Sequence, residues 1–428
     1  MTTPAPSPAG GSETASAPVR TGAFAALRQR DYRRFFLGQL VSNTGTWTQL
    51  VAQDWLVLRL TGHTLDVGIT SALQFLPVLV FSLVGGAAAD RWPTRRLLVV
   101  SQVLLGLFAA VLAVLTLTGA VRLYLVFALA LLTGSVRAFS APALQGFVSE
   151  VTGPELLRNA VSLGALNFQS ARLVGPSVAG LVISVVGIGW AFAVNALSYA
   201  VVVATLLAVR AGAGQATATR RKPGGVREGL AHVRQRPELL WPITLVACVC
   251  TFGYNFPTLL AGFANGPLHA DAQHYSFMTA SLGAGAVVGA LVTARLGDRG
   301  KSRLVAYALA FAATEALAGA APGYTVFLVL LVAMGLVSII FNTTANATVQ
   351  LAVEQGMRGR VMGLYSLAFS GGTTVGGPLV GWAVDAWGAR AAMGICALVT
   401  LVGAAAVSVS RARATAVSGS PEDGGLPS

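Results

Sequence analysis

Runs of apolar residues long enough to be helices recur twelve times along this chain, separated by short polar stretches. In windows of ~19 residues they fall at about 35–58, 66–88, 97–117, 123–146, 159–183, 189–209, 241–263, 274–295, 304–320, 325–350, 361–384 and 389–409. A hydrocarbon layer ~30 Å thick is crossed by about twenty helical residues, so each run predicts one membrane-spanning helix, some with tilt or an interfacial end. The expected fold is therefore all-α and integral to a membrane, with twelve crossings.

Two segments break their apolar pattern in an ordered way. The first carries Gln39, Asn43, Thr46, Gln49 and Gln53 at steps of three and four, one face of a helix. Trp47 and Asp54 flank this stripe. The tenth carries Asn342, Asn346 and Gln350 four residues apart, and the seventh contributes Tyr254 and Asn255. A polar stripe has no reason to face lipid. It either lines a cavity or bonds to a neighbouring helix, and both readings stand at this level.

Charge sets the orientation. Of the 29 Lys and Arg, those in the N-terminal tail (Arg20, Arg28, Arg30, Arg33, Arg34) share a side with Arg91, Arg95, Arg96, Arg158, the central run from Arg210 to Arg236, Arg295, Arg299, Lys301, Arg303, Arg358, Arg360, Arg411 and Arg413. Only Arg59, Arg122 and Arg390 fall on the other side. By the positive-inside rule both termini and the central loop are cytoplasmic, in a bacterial-type inner (plasma) membrane. Four charges lie well inside segments: Asp54, Arg137, Arg172 and Glu315. Each costs ~2.5–3.5 kcal/mol or more if it faces lipid, so each is expected to face an interior or a partner. Asp54 either carries a proton or pairs with nearby Arg59.

A net charge of +13 raises the question of nucleic acid, but the basic residues are dispersed between apolar spans in a chain that is 54% hydrophobic and 11% charged. The excess reads as topology and attraction to anionic lipid heads, with no nucleic-acid partner. Cys248, Cys250 and Cys396 lie inside apolar segments and imply neither a disulfide framework nor a metal. The Gly-rich runs near Gly283 and Gly371 sit within apolar helices with no preceding strand, so they are packing features and not phosphate cradles. No Walker-type loop is present. The four histidines are scattered and form no catalytic pair, so neither a cofactor nor an enzymatic activity is expected.

The chain repeats itself. Asp90-Arg91 with Arg95 follows the second segment, and Asp298-Arg299 with Arg303 follows the eighth. Gly175-Pro176 in the fifth segment matches Gly377-Pro378 in the eleventh, and the same offset carries Arg158 onto Arg360. The expected organisation is a tail (1–30), a six-helix half (31–209), a basic central loop (210–238), a second six-helix half (239–409) and a C-terminal tail (410–428). Inverted or parallel repeats of this kind place a substrate path between the halves near the midplane.

The D-R-x-x-x-R pattern after the second segment resembles the cytoplasmic signature of the major facilitator superfamily, and Gly175-Pro176…Gly180 resembles the helix 5 signature of its antiporters. The strings Arg30-Asp31-Tyr32-Arg33, Ser42-Asn43-Thr44-Gly45-Thr46-Trp47, Ala52-Gln53-Asp54-Trp55-Leu56-Val57-Leu58, Ala171-Arg172-Leu173-Val174-Gly175-Pro176 and Arg358-Gly359-Arg360-Val361-Met362 are similar to the drug/proton-antiporter branch that includes the enterobactin exporters. The likeness covers about residues 28–405. Where members often carry Asp and Arg around a helix 4 Pro-Ala pair, this chain reads Ser140-Ala141-Pro142-Ala143-Leu144, so that role does not carry over.

The resemblance implies a monomeric secondary transporter that exports small organic molecules against proton entry by alternating access. It implies a cavity lined by Asn43, Thr46, Trp47, Gln53, Arg137, Tyr254, Asn255, Asn342 and Asn346, and proton coupling through Asp54 and Arg172. It also implies a conformational latch of Asp90, Arg91, Arg95, Glu150, Asp298, Arg303 and Arg360; the alternative is that these charges only set topology. Glu315, on a peripheral helix of that fold, reads as structural. A siderophore or self-resistance natural-product exporter is the alternative substrate class, and a non-transporting membrane sensor the alternative outside it.

Overall fold

A computed structural model describes residues 24–209, 226–296, 303–354 and 357–418, with backbone only for 82–91, 226–227, 294, 296 and 411–418. The tails at 1–23 and 419–428, most of the expected central loop and Asp298 lie outside the described residues. After a 3-10 turn at Ala25–Arg28 come α1 (Arg30–Thr61), α2 (Thr64–Arg91), α3 (Thr94–Leu117), α4 (Leu123–Val186), α5 (Ile188–Ala208), α6 (Val226–Gln235), α7 (Pro237–Phe252), α8 (Phe256–Asn265), α9 (Ala272–Leu296), α10 (Leu304–Gly319), α11 (Tyr324–Ala352), α12 (Arg358–Trp387) and α13 (Ala389–Ser418). Every described element is helical.

These helices make twelve crossings once two of them are read correctly. At 1.5 Å per residue, α4 would be about 96 Å long if straight, three times the hydrocarbon thickness. It folds back at Gly153, whose φ of 70° is open to glycine and sits just before Pro154. Both arms then meet the start of α1: Phe35 packs on Phe147 before the bend, and the Tyr32 hydroxyl donates to the Ala160 carbonyl after it. Conversely, the expected seventh segment is two helices, α7 and α8, separated at Gly253–Asn255. The Asn255 amide donates to the Thr251 carbonyl at 2.7 Å, replacing part of the lost ladder.

Two boundaries differ from expectation. The distal part of the central loop is the short helix α6, which buries Val233 and pairs Glu228 with Arg360 at 3.2 Å. The last helix continues to Ser418, because Arg411-Ala-Arg-Ala-Thr-Ala-Val-Ser contains no Gly or Pro to stop it. Outward-facing leucines and valines such as Leu107, Val114, Leu181, Leu197, Val329 and Val402 are more than half exposed, and Tyr124, Trp190 and Trp387 lie near helix ends. An apolar belt with aromatic borders is what a bilayer selects.

Small residues set the helix spacing inside each half. A Cβ on Gly134 would stand 2.3 Å from the Gln74 carbonyl oxygen of α2, and one on Gly335 would stand 2.1 Å from the Leu282 oxygen of α9. Gly134 and Gly335 occupy equivalent places in the two halves, so the repeat seen in the loops extends to the packing. Bulkier residues at either would force the backbones apart.

Candidate functional site

The halves meet at the end of the bundle away from the chain termini, called the far end below. There α12 reaches α2 through Gly381, where a Cβ would lie 2.7 Å from Leu65 Cα, and through Gly377, which faces Gly68. The arm of α4 after Gly153 reaches α9 in the same way: Gly180 lies against Ser276, and Gly283 against the backbone of Arg172 and Leu173. Among the described residues, each hydrogen bond between the halves is also at the far end. Asp385 on α12 accepts from the backbone N–H of Thr64 at 2.8 Å and of Leu65 at 3.0 Å, across the start of α2. His63 lies 3.8 Å from the same carboxylate. The Asn265 amide donates to the Gly62 carbonyl at 3.1 Å.

The fourth such bond involves Asp54. This carboxylate is buried near the far end of α1 and accepts from the Tyr275 hydroxyl of α9 at 3.3 Å. Trp55 stacks on the same tyrosine ring, centroids 5.8 Å apart. No described ion pair joins Asp54 to Arg59. Over the Trp55 side is a recess of about 320 Å³ lined by Arg59, Asn265, His269 and Asp271. The Asp271 carboxyl, in the loop, is held below the usual carboxylate range first by the backbone N–H of His274 and also by its ring.

The polar stripe of α1 divides its hydrogen bonds among neighbours in its own half. Asn43 donates to Asn167 on α4 at 2.9 Å, Thr46 meets the Tyr199 hydroxyl of α5 at 3.2 Å, and Gln49 accepts from Asn195 at 2.7 Å. These are helix contacts. Gln53 is buried, its amide nitrogen without a partner among the described residues. Trp47 points elsewhere. Gly175 leaves room for its Cβ, its ring meets Phe168 edge-on at 5.8 Å, and the Arg172 guanidinium lies 5.6 Å from its centroid. Pro176 follows directly and is buried with Gly175 and Gly180.

On the opposite half, Tyr254 occupies the break between α7 and α8 and donates its hydroxyl to the Ser338 carbonyl. Four phenylalanines surround it: Phe256 and Phe311 at 5.4 Å, Phe369 at 6.1 Å and Phe341 at 6.5 Å. Along α11 toward the termini runs a hydrogen-bonded series. Tyr365 donates to Asn342 at 3.0 Å, Gln350 to Asn346 at 2.5 Å, and Arg358 to Gln350 at 2.9 Å. Arg137 is partly buried, and no described hydrogen bond or ion pair engages its guanidinium.

At the termini end, Glu150 accepts from the Thr94 hydroxyl at 2.8 Å and Arg95 donates to the Leu207 carbonyl at 2.5 Å, both within one half. Arg360 pairs with α6, and Arg236 with Glu354 at 2.5 Å, which holds that exposed carboxyl below its ordinary range. Arg303 is exposed. The side chains of Asp90 and Arg91, and all of Asp298, lie outside the described residues. Sequence reading did not single out Tyr275, Phe168, Phe369 or Asp385. Only Asp385 left a signal, a carboxylate at the very end of an apolar run.

Glu315 is fully buried between α10 and α13, and neither carboxyl oxygen has a described partner. No described cluster of His, Cys, Asp or Glu is suited to a metal ion.

Residues 21–422 match the family described as transmembrane secretion effector. The multidrug efflux pump Tap of Mycolicibacterium fortuitum is 30% identical over 395 residues, 87% of this chain and 94% of Tap. The enterobactin exporter EntS of Shigella boydii is 22% identical over 352 residues, covering 82% of this chain and 84% of EntS. Among solved structures, the nucleoside transporter NupG superposes with a TM-score of 0.71 over 89% of this chain and 98% of NupG at 15% identity, a likeness of fold. With its two pseudo-symmetric six-helix halves and a match over nearly its whole length, the chain belongs to the transmembrane secretion effector family of the major facilitator superfamily of membrane transporters.

Proposed function

We propose that the protein exports small organic molecules across the cytoplasmic membrane in exchange for protons, its two halves (31–209 and 239–409) rocking about a site at mid-depth. Similarity to Tap and EntS supports export, and the 29 Lys and Arg, gathered almost wholly on one side, support cytoplasmic termini. On that orientation the far end is external, and the four hydrogen bonds there support a conformation closed outside and open inside. The latch expected at Asp90, Arg91, Arg95, Glu150, Asp298, Arg303 and Arg360 then belongs to the opposite state. The pairing of Arg360 with α6 instead of the N-terminal half fits a latch that is undone.

The observation that carries the reading is Asp54. A proton carrier must be ionisable and reached by water from one side at a time. Asp54 sits in the external seal, one hydroxyl from the other half and beneath a polar recess. Opening that seal separates Asp54 from Tyr275 and exposes it outside; closing it returns the carboxyl to the interior. Arg172, about two helical turns nearer the termini along the same interface, is the cation whose field opposes the proton. Gln53, Arg137, Asn255, Asn342 and Asn346 complete the polar surroundings of the path, with Trp47 and Tyr254 as its aromatic walls, while Asn43 and Thr46 brace α1 against α4 and α5.

The test is substrate efflux from vesicles with and without an imposed proton gradient. The Asp54→Asn variant should lose gradient-driven accumulation yet retain binding or downhill exchange. Normal uphill transport by Asp54→Asn, with an unchanged pH profile, would move the carrier elsewhere. Similarity to EntS favours one narrower reading, that the cargo is a secreted natural product.

A further inference from the structure

Arg172 is the charge inside the bundle whose surroundings are most specific. Its backbone is packed against Gly283 of the other half, and its guanidinium lies over the face of Trp47 at 5.6 Å. Among the described residues no carboxylate pairs with it. Tyr254 of the other half lies on the α7–α8 break, and α8 packs against both α1 and α9. A guanidinium in a membrane interior with an aromatic face beside it and no described carboxylate lacks its natural counter-ion. Trp47 continues edge-on into Phe168, and Phe168 is 49% exposed.

Both halves contribute rings to this place. Trp47 and Phe168 come from the first half; Tyr254 comes from the second, with Phe369 of α12 at 6.1 Å behind it. A planar cation beside stacked aromatic faces recognises a negative group attached to a flat ring. The guanidinium fork takes the carboxylate, sulfonate or phenolate, and the rings take the conjugated body. A cationic substrate would meet uncompensated repulsion from Arg172, and the bare aliphatic chain of a fatty acid would leave the ring faces unused.

We infer that the substrate is an aromatic organic anion, its negative group on Arg172 and its ring between Trp47, Phe168 and Tyr254. This deepens the export reading and rests on it for the direction of movement, but binding is testable alone. Because the contacts come from both halves, the ligand is gripped at the interface and is released when the halves separate on either side.

The test uses the purified full-length protein in detergent, with fluorescein as the aromatic anion and ethidium as the aromatic cation, each followed by fluorescence anisotropy. Wild type should bind fluorescein, and 1-naphthoate should displace it. Arg172→Gln should weaken fluorescein binding by roughly tenfold or more, the scale of a lost charge-assisted hydrogen bond. Arg172→Lys, which keeps the charge and guards against a folding artefact, should fall between the two because it loses the planar fork. Phe168→Leu should weaken binding without changing the preference for anion over cation. The inference is overturned if wild type binds neither anion, if it binds ethidium more tightly than fluorescein, or if Arg172→Gln binds fluorescein as wild type does. Proton-driven efflux of ethidium by wild type that binds neither anion would remove the anion site and leave export standing. Arg172-dependent fluorescein binding with no gradient-driven movement in vesicles would do the reverse.

Discussion

Removing the Asp385 carboxylate should open the far end of the bundle. Asp385 is the last acidic side chain of α12, yet it caps the first turn of α2 in the other half, accepting from two consecutive backbone N–H groups at 2.8 and 3.0 Å. Those N–H groups have no partner within their own helix, and the positive end of the α2 dipole favours a negative charge there. The side chain is 24% exposed, so its charge is only partly screened by water. When the halves part, both N–H groups and the carboxylate recover water, and the net worth of the contact is that of charged hydrogen bonds, about 1.5–3 kcal/mol. Asp385→Ala removes all of it. The ratio of closed to open far ends should then fall by roughly 10- to 150-fold. Asp385→Asn retains one acceptor oxygen but no charge, so its shift should be smaller, about 1 kcal/mol or roughly fivefold. Spin labels on cysteines placed at Arg122 and Pro322, at the far end of opposite halves, read this directly by pulsed dipolar spectroscopy once Cys248, Cys250 and Cys396 are replaced. Wild type should give one short distance, and Asp385→Ala an added longer one. Identical distributions in well-inserted protein would mean the cap does not bias the two states.

Three other outcomes follow from the same packing. Gly381→Val should disfavour closure of the far end, since a Cβ there meets Leu65 Cα at 2.7 Å, while Gly285→Val, whose Cβ meets the Val332 oxygen within one half at 1.9 Å, should lower thermal stability by about 1–3 kcal/mol or more without redistributing the states. Melting curves and the label pair separate the two; similar effects from both variants would refute the distinction. Glu315→Leu should leave the melting temperature unchanged or raise it, because a buried carboxyl with no partner costs more than an apolar side chain of similar volume, and a drop of several degrees would reveal a partner. A cysteine at Gly187 should react with an impermeant thiol reagent from outside and one at 215–225 should not; the opposite pattern would reverse the orientation drawn from charge.

The crossings and the repeat were written in the sequence, because hydropathy and small or charged side chains are properties each residue carries regardless of its neighbours. The bilayer reads them segment by segment. Gly175, Gly180, Gly377 and Asp54 could likewise be noticed in advance, as small or charged residues where bulk or oil was expected. What each of them touches could not. The α1 stripe is periodic, yet periodicity fixes only a shared face; docking against α4 and α5 turned Asn43, Thr46 and Gln49 toward helix neighbours and left Trp47 facing Arg172. The break at Gly253–Asn255 was hidden within one apolar run, since the residues that satisfy it belong to the fold and not to the run's composition. Asp385 capping α2 and Asp54 meeting Tyr275 join residues hundreds of positions apart. Such contacts exist only once two helices have been brought within about a hydrogen bond's length, and it is glycines facing glycines, at Gly68 and Gly377, that let the halves come so close.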